Sequence, residues 1–220
     1  GVVGLRPSPG RVAATPTPPI DQTLGVEGPM ARNVEDLALL LDAMVGADPR
    51  DPLSLPVEQG SYLDAARGRR LPKRVAFSRD LGFMPVDPEV ARIVERAARR
   101  LAEAGVVVEE AHPDFSEAHE CFRVLRAANF AASMAPLLER HRDKLKPEIV
   151  WNVEEGLRLS GADIARAQGQ RAAMFNRARD FFGAYELLLC PATIVPPFPV
   201  EERYVKEVGA HVFDNYVEWL

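Results

Sequence analysis

The chain has 220 residues, 47% of them hydrophobic, enough to bury a sizeable core, and carries 32 Asp and Glu against 27 Lys and Arg for a net charge of -5. That balance, with no basic run long enough to follow a phosphate backbone, argues against nucleic acid as a partner. No apolar stretch reaches the ~20 residues a membrane span needs, and the first residues lack a signal-peptide pattern, so a cytoplasmic protein without membrane contact is expected.

Residues 1–46 read as a core strand, a crossing and a helix. Val2 to Leu5 is a short apolar run closed by Arg-Pro-Ser-Pro-Gly, the mark of a buried strand ending in a turn. Residues 7–29 are rich in Pro and Gly and read as an ordered irregular crossing. A helix follows, with Asn33 as its cap, Glu35 and Asp36 in the first turn where the helix dipole favours negative charge, and a stripe of Val34, Leu37, Ala38, Leu41, Met44 and Val45. Gly46 ends it. Residues 47–73 alternate charge with Pro and read as a connector.

Residues 74–112 form a βαβ-like unit. Val75 to Ser78 and Val106 to Glu110 are its strands, expected to be parallel, and a helix from Pro88 to Ala104 joins them. Asp87 caps that helix, Gly105 follows it, and Val90, Ile93, Val94, Ala97, Ala98 and Leu101 recur at helical spacing. Residues 113–185 are helical in composition. Pro136 is expected to divide the first stretch into two helices, Pro147 opens the next, and Ser160 with Asp163 makes a capping box for a long helix to about Phe182. Residues 186–220 hold a buried-type strand from Glu186 to Cys190, a Pro-rich loop, and a segment around Tyr216 that reads as the start of a helix.

Chemistry-bearing residues are sparse. None of the serines at 8, 54, 61, 78, 116, 133 and 160 has the surround of a strained nucleophile elbow, and the lysines sit in solvated, charge-flanked positions. His112, Asp114, His119 and Glu120 are the one group of ligand-type side chains, but Pro113 and a helix start interrupt them, so no metal is expected. Cys121 and Cys190 lie far apart in dissimilar contexts and read as buried inert thiols rather than a disulfide or redox pair. Pro191 removes the backbone donor an oxyanion hole would need beside Cys190. Ligands of α/β sheets gather beyond the carboxyl ends of strands, which makes Thr193 in the following loop the candidate pocket polar group and Trp151 on a helix the candidate apolar wall. Simple core packing is the competing reading for Trp151.

Two segments carry a family resemblance: Gly-Val-Val-Gly-Leu-Arg-Pro at 1–7 and Gly-Pro-Met-Ala-Arg-Asn-Val-Glu-Asp at 28–36. Together with Asp-Pro-Arg-Asp-Pro at 48–52 and Leu-Leu-Leu-Cys-Pro-Ala-Thr at 187–193, they resemble the amidase signature family across essentially the whole chain. The resemblance implies an α/β fold with a mixed β-sheet core flanked by many helices, the 220 residues being an internal part of a single amidase domain. It implies hydrolysis of a small-molecule amide by a serine acyl-enzyme route with a Ser-cis-Ser-Lys triad, no cofactor, and a homodimeric parent. In the family the strand resembling residues 1–5 follows the serine nucleophile, so the triad is expected upstream of Gly1 and the chain is expected to be inactive alone. Gly28 and Pro29 then shape the entry to a helix, and Arg32 steadies the scaffold. Deprived of sheet partners, Val2 to Leu5 should expose apolar surface. A non-catalytic α/β ligand-binding or interaction module that only mimics these segments remains the alternative.

Overall fold

The computed structural model describes residues 1–15, 23–68 and 70–218; part of the crossing expected over residues 7–29 falls outside them. The chain divides into two compact units, Gly1–Arg70 and Leu71–Leu220.

In the first unit strand β1 (Val3–Gly4) pairs antiparallel with β2 (Met30–Ala31), and the Leu5 amide donates to the Pro29 carbonyl at 3.1 Å. A side chain at Gly28 would stand 2.1 Å from the Leu5 carbonyl oxygen, so only glycine allows this crossing. Helix α1 (Val34–Met44) is capped by Asn33, whose side chain accepts from the Asp36 amide. It buries Leu37, Ala38 and Leu41, while Val34, Leu39 and Leu40 stay exposed. The expected stripe is therefore only half used. Val2 to Leu5 was expected as a buried strand that exposes apolar surface when deprived of sheet partners; Val2, Val3 and Leu5 are exposed, and among the described residues β1 pairs with β2 alone.

The connector expected over residues 47–73 contains a further helix, α2 (Tyr62–Arg67). Its start is held from a distance: the Asp42 carboxylate on α1 accepts from the Ser61 hydroxyl at 2.7 Å and from the Tyr62 and Leu63 amides. The Ser61 hydroxyl, first, and those amides hold the Asp42 carboxyl below its ordinary range. Ser61 itself caps α2, accepting from the Leu63 and Asp64 amides, so the helix start carries a local signal and only the Asp42 support comes from elsewhere in the chain.

The second unit is built on a three-stranded parallel sheet, ordered β4-β3-β5, made of β3 (Arg74–Phe77), β4 (Val107–Glu110) and β5 (Leu187–Leu189). Val75, Ala76 and Phe77 of the central strand are all buried, the continuous apolar run expected of a parallel strand covered on both faces. Helix α3 (Pro88–Glu103) joins β3 to β4, capped by the Asp87 side chain with Pro88 in its first turn. It buries Val90 and Ala98 and leaves Ile93 exposed, so its inner face is narrower than the periodicity suggests.

Helix α4 (Ala118–His141) packs against α5 (Pro147–Arg158) and α6 (Gly161–Phe181). Pro136 was expected to split α4, yet the helix runs through it. Ala132, whose carbonyl loses its amide partner, and Pro136 itself are both exposed, so water can satisfy the freed group while packing on two neighbouring helices carries the element. Helix α6 begins with the expected reciprocal box: the Asp163 amide donates to the Ser160 hydroxyl and the Ser160 amide to the Asp163 carboxylate.

The segment around Tyr216, expected to begin a helix, is a series of turns over residues 214–218, and the two last residues lie outside the described ones. The side chains there bond as at a helix start: the Asn215 side chain accepts from the Val217 amide at 3.0 Å, as an N-cap does, and the Glu218 carboxylate reaches back to accept from the Asp214 amide at 3.2 Å. Just before it, a hairpin of β6 (Glu207–Val208) and β7 (His211–Val212) turns at Gly209, with φ +61°, a short signal that apolar alternation alone does not announce.

The capping box gives a pH prediction. The Ser160 hydroxyl and amide, with Arg166, lower the Asp163 carboxyl to about 2 from 3.8. Its folded value is depressed, so its contribution is complete above about pH 4 and fades as pH falls toward 2. Urea midpoints of the wild type and Asp163→Asn should therefore differ by a constant amount from pH 7 to about 4 and converge toward pH 2. A gap that persists at pH 2 would refute the linkage.

Candidate functional site

The three parallel strands end side by side. Ser78 follows β3 and donates its amide to the Leu189 carbonyl at 2.9 Å, Ala111 follows β4, and Cys190 follows β5. Ser78 is buried, and its hydroxyl accepts from the Leu81 amide at 2.9 Å, holding a tight turn in which Leu81 and Gly82 take φ of +55° and +79°. The His112 ring lies directly over Gly82, where a Cβ would stand 2.4 Å from the ring, and its Nδ1 meets the Pro113 carbonyl at 3.0 Å. Asp114 accepts from the Ser116 amide, which leads the causes lowering its carboxyl below the ordinary range. These groups serve turns. Among the described residues no group of three or more His, Cys, Asp or Glu side chains is placed to hold a metal ion.

Both thiols are shifted upward by burial, and the Cys121 Sγ donates to the Ala167 carbonyl at 3.3 Å. A protonated, partly buried thiol is a poor nucleophile at neutral pH. The hydroxyls of Ser54, Ser61, Ser78 and Ser160 are each engaged with backbone groups or carboxylates in turns and caps, and that of Ser133, inside α4, donates to the Asn129 carbonyl one turn back. That use fits structural serines.

Beyond β5 the loop 191–197 dives back into the unit. Ile194 and Val195 are buried in a cluster with Val208 and Phe213, and the Ile194 carbonyl accepts from the Asp87 amide at 2.8 Å at the start of α3. Thr193 lies at the exposed side of this loop, its hydroxyl donating to the Val195 carbonyl at a long 3.4 Å. Burial of its two neighbours holds the threonine in place, and its oxygen keeps capacity for another partner.

Trp151 sits on α5, half-buried, on the wall of a cleft of about 310 Å³ shared with Tyr204, Tyr216, Glu148, Arg203 and Asp214. Trp151 and Tyr216 meet edge to face with ring centres 6.2 Å apart, and Tyr204 lies 6.4 Å from Tyr216. Thr193 is not among the lining residues, so the two candidates do not share this cleft. They are connected through the chain between them: Phe213 is in the cluster that holds the Thr193 loop, and three residues on, Tyr216 forms the cleft wall.

Behind Tyr216 lies a polar knot that the sequence reading missed. Asn152 is 2% exposed; its amide donates to the Tyr216 hydroxyl at 2.5 Å and to the Glu148 carbonyl at 2.6 Å, and its oxygen accepts from the Arg126 guanidinium. Arg126 also stands over the rings of Phe130 and Tyr216, at 4.6 and 5.2 Å. The one signal available was an Asn set between Trp151 and Val153 in the sequence of α5. A second depression, of about 460 Å³, lies in the first unit beside Asp51, but both oxygens of that buried carboxylate already accept from the Ala14 and Leu53 amides.

Known proteins show the same plan. The model of the Amidase family matches residues 1–220. An acylamidase of Rhodococcus erythropolis is 31% identical over 100% of this chain and 47% of its own length, and a glutamyl-tRNA(Gln) amidotransferase subunit of Thermus thermophilus is 30% identical over 92% of this chain and 48% of its own. A bacterial aryl acylamidase of the amidase signature family superimposes with a TM-score of 0.84 at 24% identity, covering 99% of this chain and 48% of that one. The chain spans about half the length of the curated relatives it matches. With the α/β architecture in place and the family model matched from the first residue to the last, the chain belongs to the amidase signature family.

Proposed function

We propose that this chain is part of an amidase that hydrolyses carbon–nitrogen bonds of small-molecule amides, supplying scaffold and part of the substrate pocket within a single amidase domain. The observation that carries the reading is the family match across residues 1–220, strengthened by an acylamidase relative aligned to the whole chain. The chemistry is serine acylation with loss of an amine or ammonia, then deacylation by water. The nucleophile and its lysine base lie outside these residues, a placement supported by the engagement of five serine hydroxyls in caps, turns and the interior of a helix. Trp151 and Thr193 contact substrate, one as an apolar wall and the other as a hydrogen-bonding group. The parent works in the cytoplasm as a homodimer; among the described residues no helix is long and apolar enough to cross a membrane.

The 220-residue chain alone should show no turnover of simple aliphatic or aromatic amides above buffer. Measurable turnover abolished by a serine-directed reagent would show that the nucleophile lies within it. The full-length protein should hydrolyse at least one such amide, and cross-linking should capture it as a dimer. A second reading, in which the parent transamidates as one component of a larger complex, is favoured by the 30% identity to a glutamyl-tRNA(Gln) amidotransferase component. Glutamine hydrolysis that requires partner proteins would select it over the free-standing amidase.

A further inference from the structure

The cleft beside Trp151 combines aromatic walls with an excess of negative charge. Trp151 and Tyr216 are inclined at 64° with ring centres 6.2 Å apart, and Tyr204 and Tyr216 at 51° and 6.4 Å, so the three rings bound a corner instead of stacking flat. The cleft's size lies at the lower end of the range for small-molecule sites, about 300–1,000 Å³. The Tyr216 ring is held in place, because its hydroxyl accepts from the buried Asn152 amide at 2.5 Å. A wall fixed before binding loses little side-chain freedom when a ligand arrives.

Charge decides what the corner takes. Three ionised side chains line it: Glu148, Arg203 and Asp214. Glu148 and Arg203 neutralise each other at 2.8 Å. The Asp214 carboxylate has neither a hydrogen bond nor an ion pair among the described residues; only its backbone amide is engaged, donating to Glu218. The lining therefore carries one uncompensated negative charge, to which the rings add the negative faces of their π-systems, and an anion would be repelled by both. Arg126 stands over the Tyr216 ring at 5.2 Å, but it is not a lining residue and is tied to the Asn152 oxygen. Among the described residues no cation stands over the rings of Trp151 or Tyr204, and Trp attracts a cation more strongly than Tyr or Phe does. The walls also select the kind of cation. A metal ion needs several convergent oxygen or nitrogen ligands, and a primary ammonium three hydrogen-bond acceptors. Rings supply neither, and the Tyr216 hydroxyl is already engaged with Asn152. A quaternary ammonium group has no N–H to satisfy and presents its charge through apolar methyl groups, which suits aromatic walls with a carboxylate at the rim.

We infer that this cleft is a binding site for a quaternary ammonium group, with Trp151 and Tyr204 as the faces that meet the cation, Tyr216 as the fixed wall next to both, and Asp214 as the counter-charge. The site stands apart from the amidase reading, because the probe carries no amide and its binding is measured without turnover. Choline and 3,3-dimethylbutan-1-ol have the same shape and differ in the charged nitrogen. Each is titrated into the full-length protein by calorimetry, and its position is read from the fluorine resonance of 5-fluorotryptophan at 151, assigned by its loss in Trp151→Phe.

Choline should shift the Trp151 signal saturably and bind about 10-fold more tightly than the neutral alcohol, the discrimination expected of partly desolvated cation–π contacts. Tyr204→Leu, which keeps an apolar wall at a position outside any helix, should weaken choline about 5-fold and leave the alcohol unchanged, with the circular dichroism retained. Asp214→Asn, at an exposed position, should weaken choline about 3-fold and spare the alcohol in the same way. Equal binding of choline and the alcohol, no saturable shift at Trp151, or a choline affinity unmoved by both substitutions overturns the proposal. Competition between choline and a hydrolysed amide assigns the ammonium group to the substrate, and simultaneous binding assigns it to a separate ligand; the cage stands in both cases. Failure to hydrolyse any amide, with choline still bound at Trp151, overturns the amidase reading and leaves the cage, whereas amide hydrolysis without choline binding does the reverse.

Discussion

Gly156→Ala should destabilise the second unit by about 3 kcal/mol, the upper part of the range for overpacking a tight contact, whereas the same change at Gly169 should stabilise it by about 1 kcal/mol. Both glycines are inside helices, where alanine is favoured by roughly 1 kcal/mol from propensity alone. The surroundings reverse the sign at one of them. A Cβ on Gly156 would stand 2.0 Å from the Ala127 carbonyl oxygen and 2.7 Å from the Ala131 Cβ, because α5 crosses α4 there almost backbone to backbone. The obstacle is main chain, so relief requires the two helices to separate. At Gly169 nothing lies within 4 Å. Thermal melts read this directly: a fall of about 6–12 °C for Gly156→Ala and a rise of about 2–4 °C for Gly169→Ala. Shifts of the same sign would refute the close crossing of α4 and α5.

Asn152→Leu carries the other large effect. The substitution keeps the number and branching of side-chain heavy atoms and adds apolar character in a site 2% exposed, so a hydrophobic count alone predicts stabilisation. The partners decide otherwise. Arg126 loses the oxygen that accepts from its guanidinium, and Tyr216 loses the donor to its hydroxyl, leaving one part-buried charge and one polar atom unpaired. A loss of about 3 kcal/mol is expected, at the low end of the cost of breaking a buried charged network. A urea denaturation series gives the value, and combining the change with Arg126→Met should recover part of the loss by removing the stranded cation. Additive losses would show that the two side chains are energetically independent.

Much of this fold is legible in the residues, and the parts that are not have a common cause. Asn33, Asp87 and Ser160 announce their helices because each cap is local, bonding amides within three residues. The parallel arrangement of β3 and β4 follows from a strand, a helix and a strand in sequence. Helix α2 is short, and its local cap, Ser61, is doubled by the Asp42 carboxylate some twenty residues earlier, a support that no local spacing shows. Pro136 misleads because tertiary packing of α4 outweighs a single lost backbone bond at an exposed position.

The candidate site divides in the same way. Thr193 is placed by a rule about strand ends, and the loop that carries it does emerge from β5. Trp151 is half-buried on a helix, but the rings that make it part of a cleft come from Tyr204 and Tyr216, more than fifty residues along the chain. No spacing pattern links them. Nor does any local pattern pair Arg126 with Asn152 across two helices.

The order β4-β3-β5 also sets a schedule for making the protein. β3 can pair with β4 as soon as α3 is synthesised, but its other edge waits for β5, whose first contact joins Lys73 to Glu186, 113 residues apart. At roughly 5–20 residues per second, the ribosome takes about 6–20 s to span that interval. For all of it, the most buried strand of the sheet has an open edge, and α4, α5 and α6 emerge before the strand that completes the sheet. The late joining of β5 makes this a fold whose vulnerable period falls during synthesis, when an exposed strand edge and incomplete packing favour aggregation.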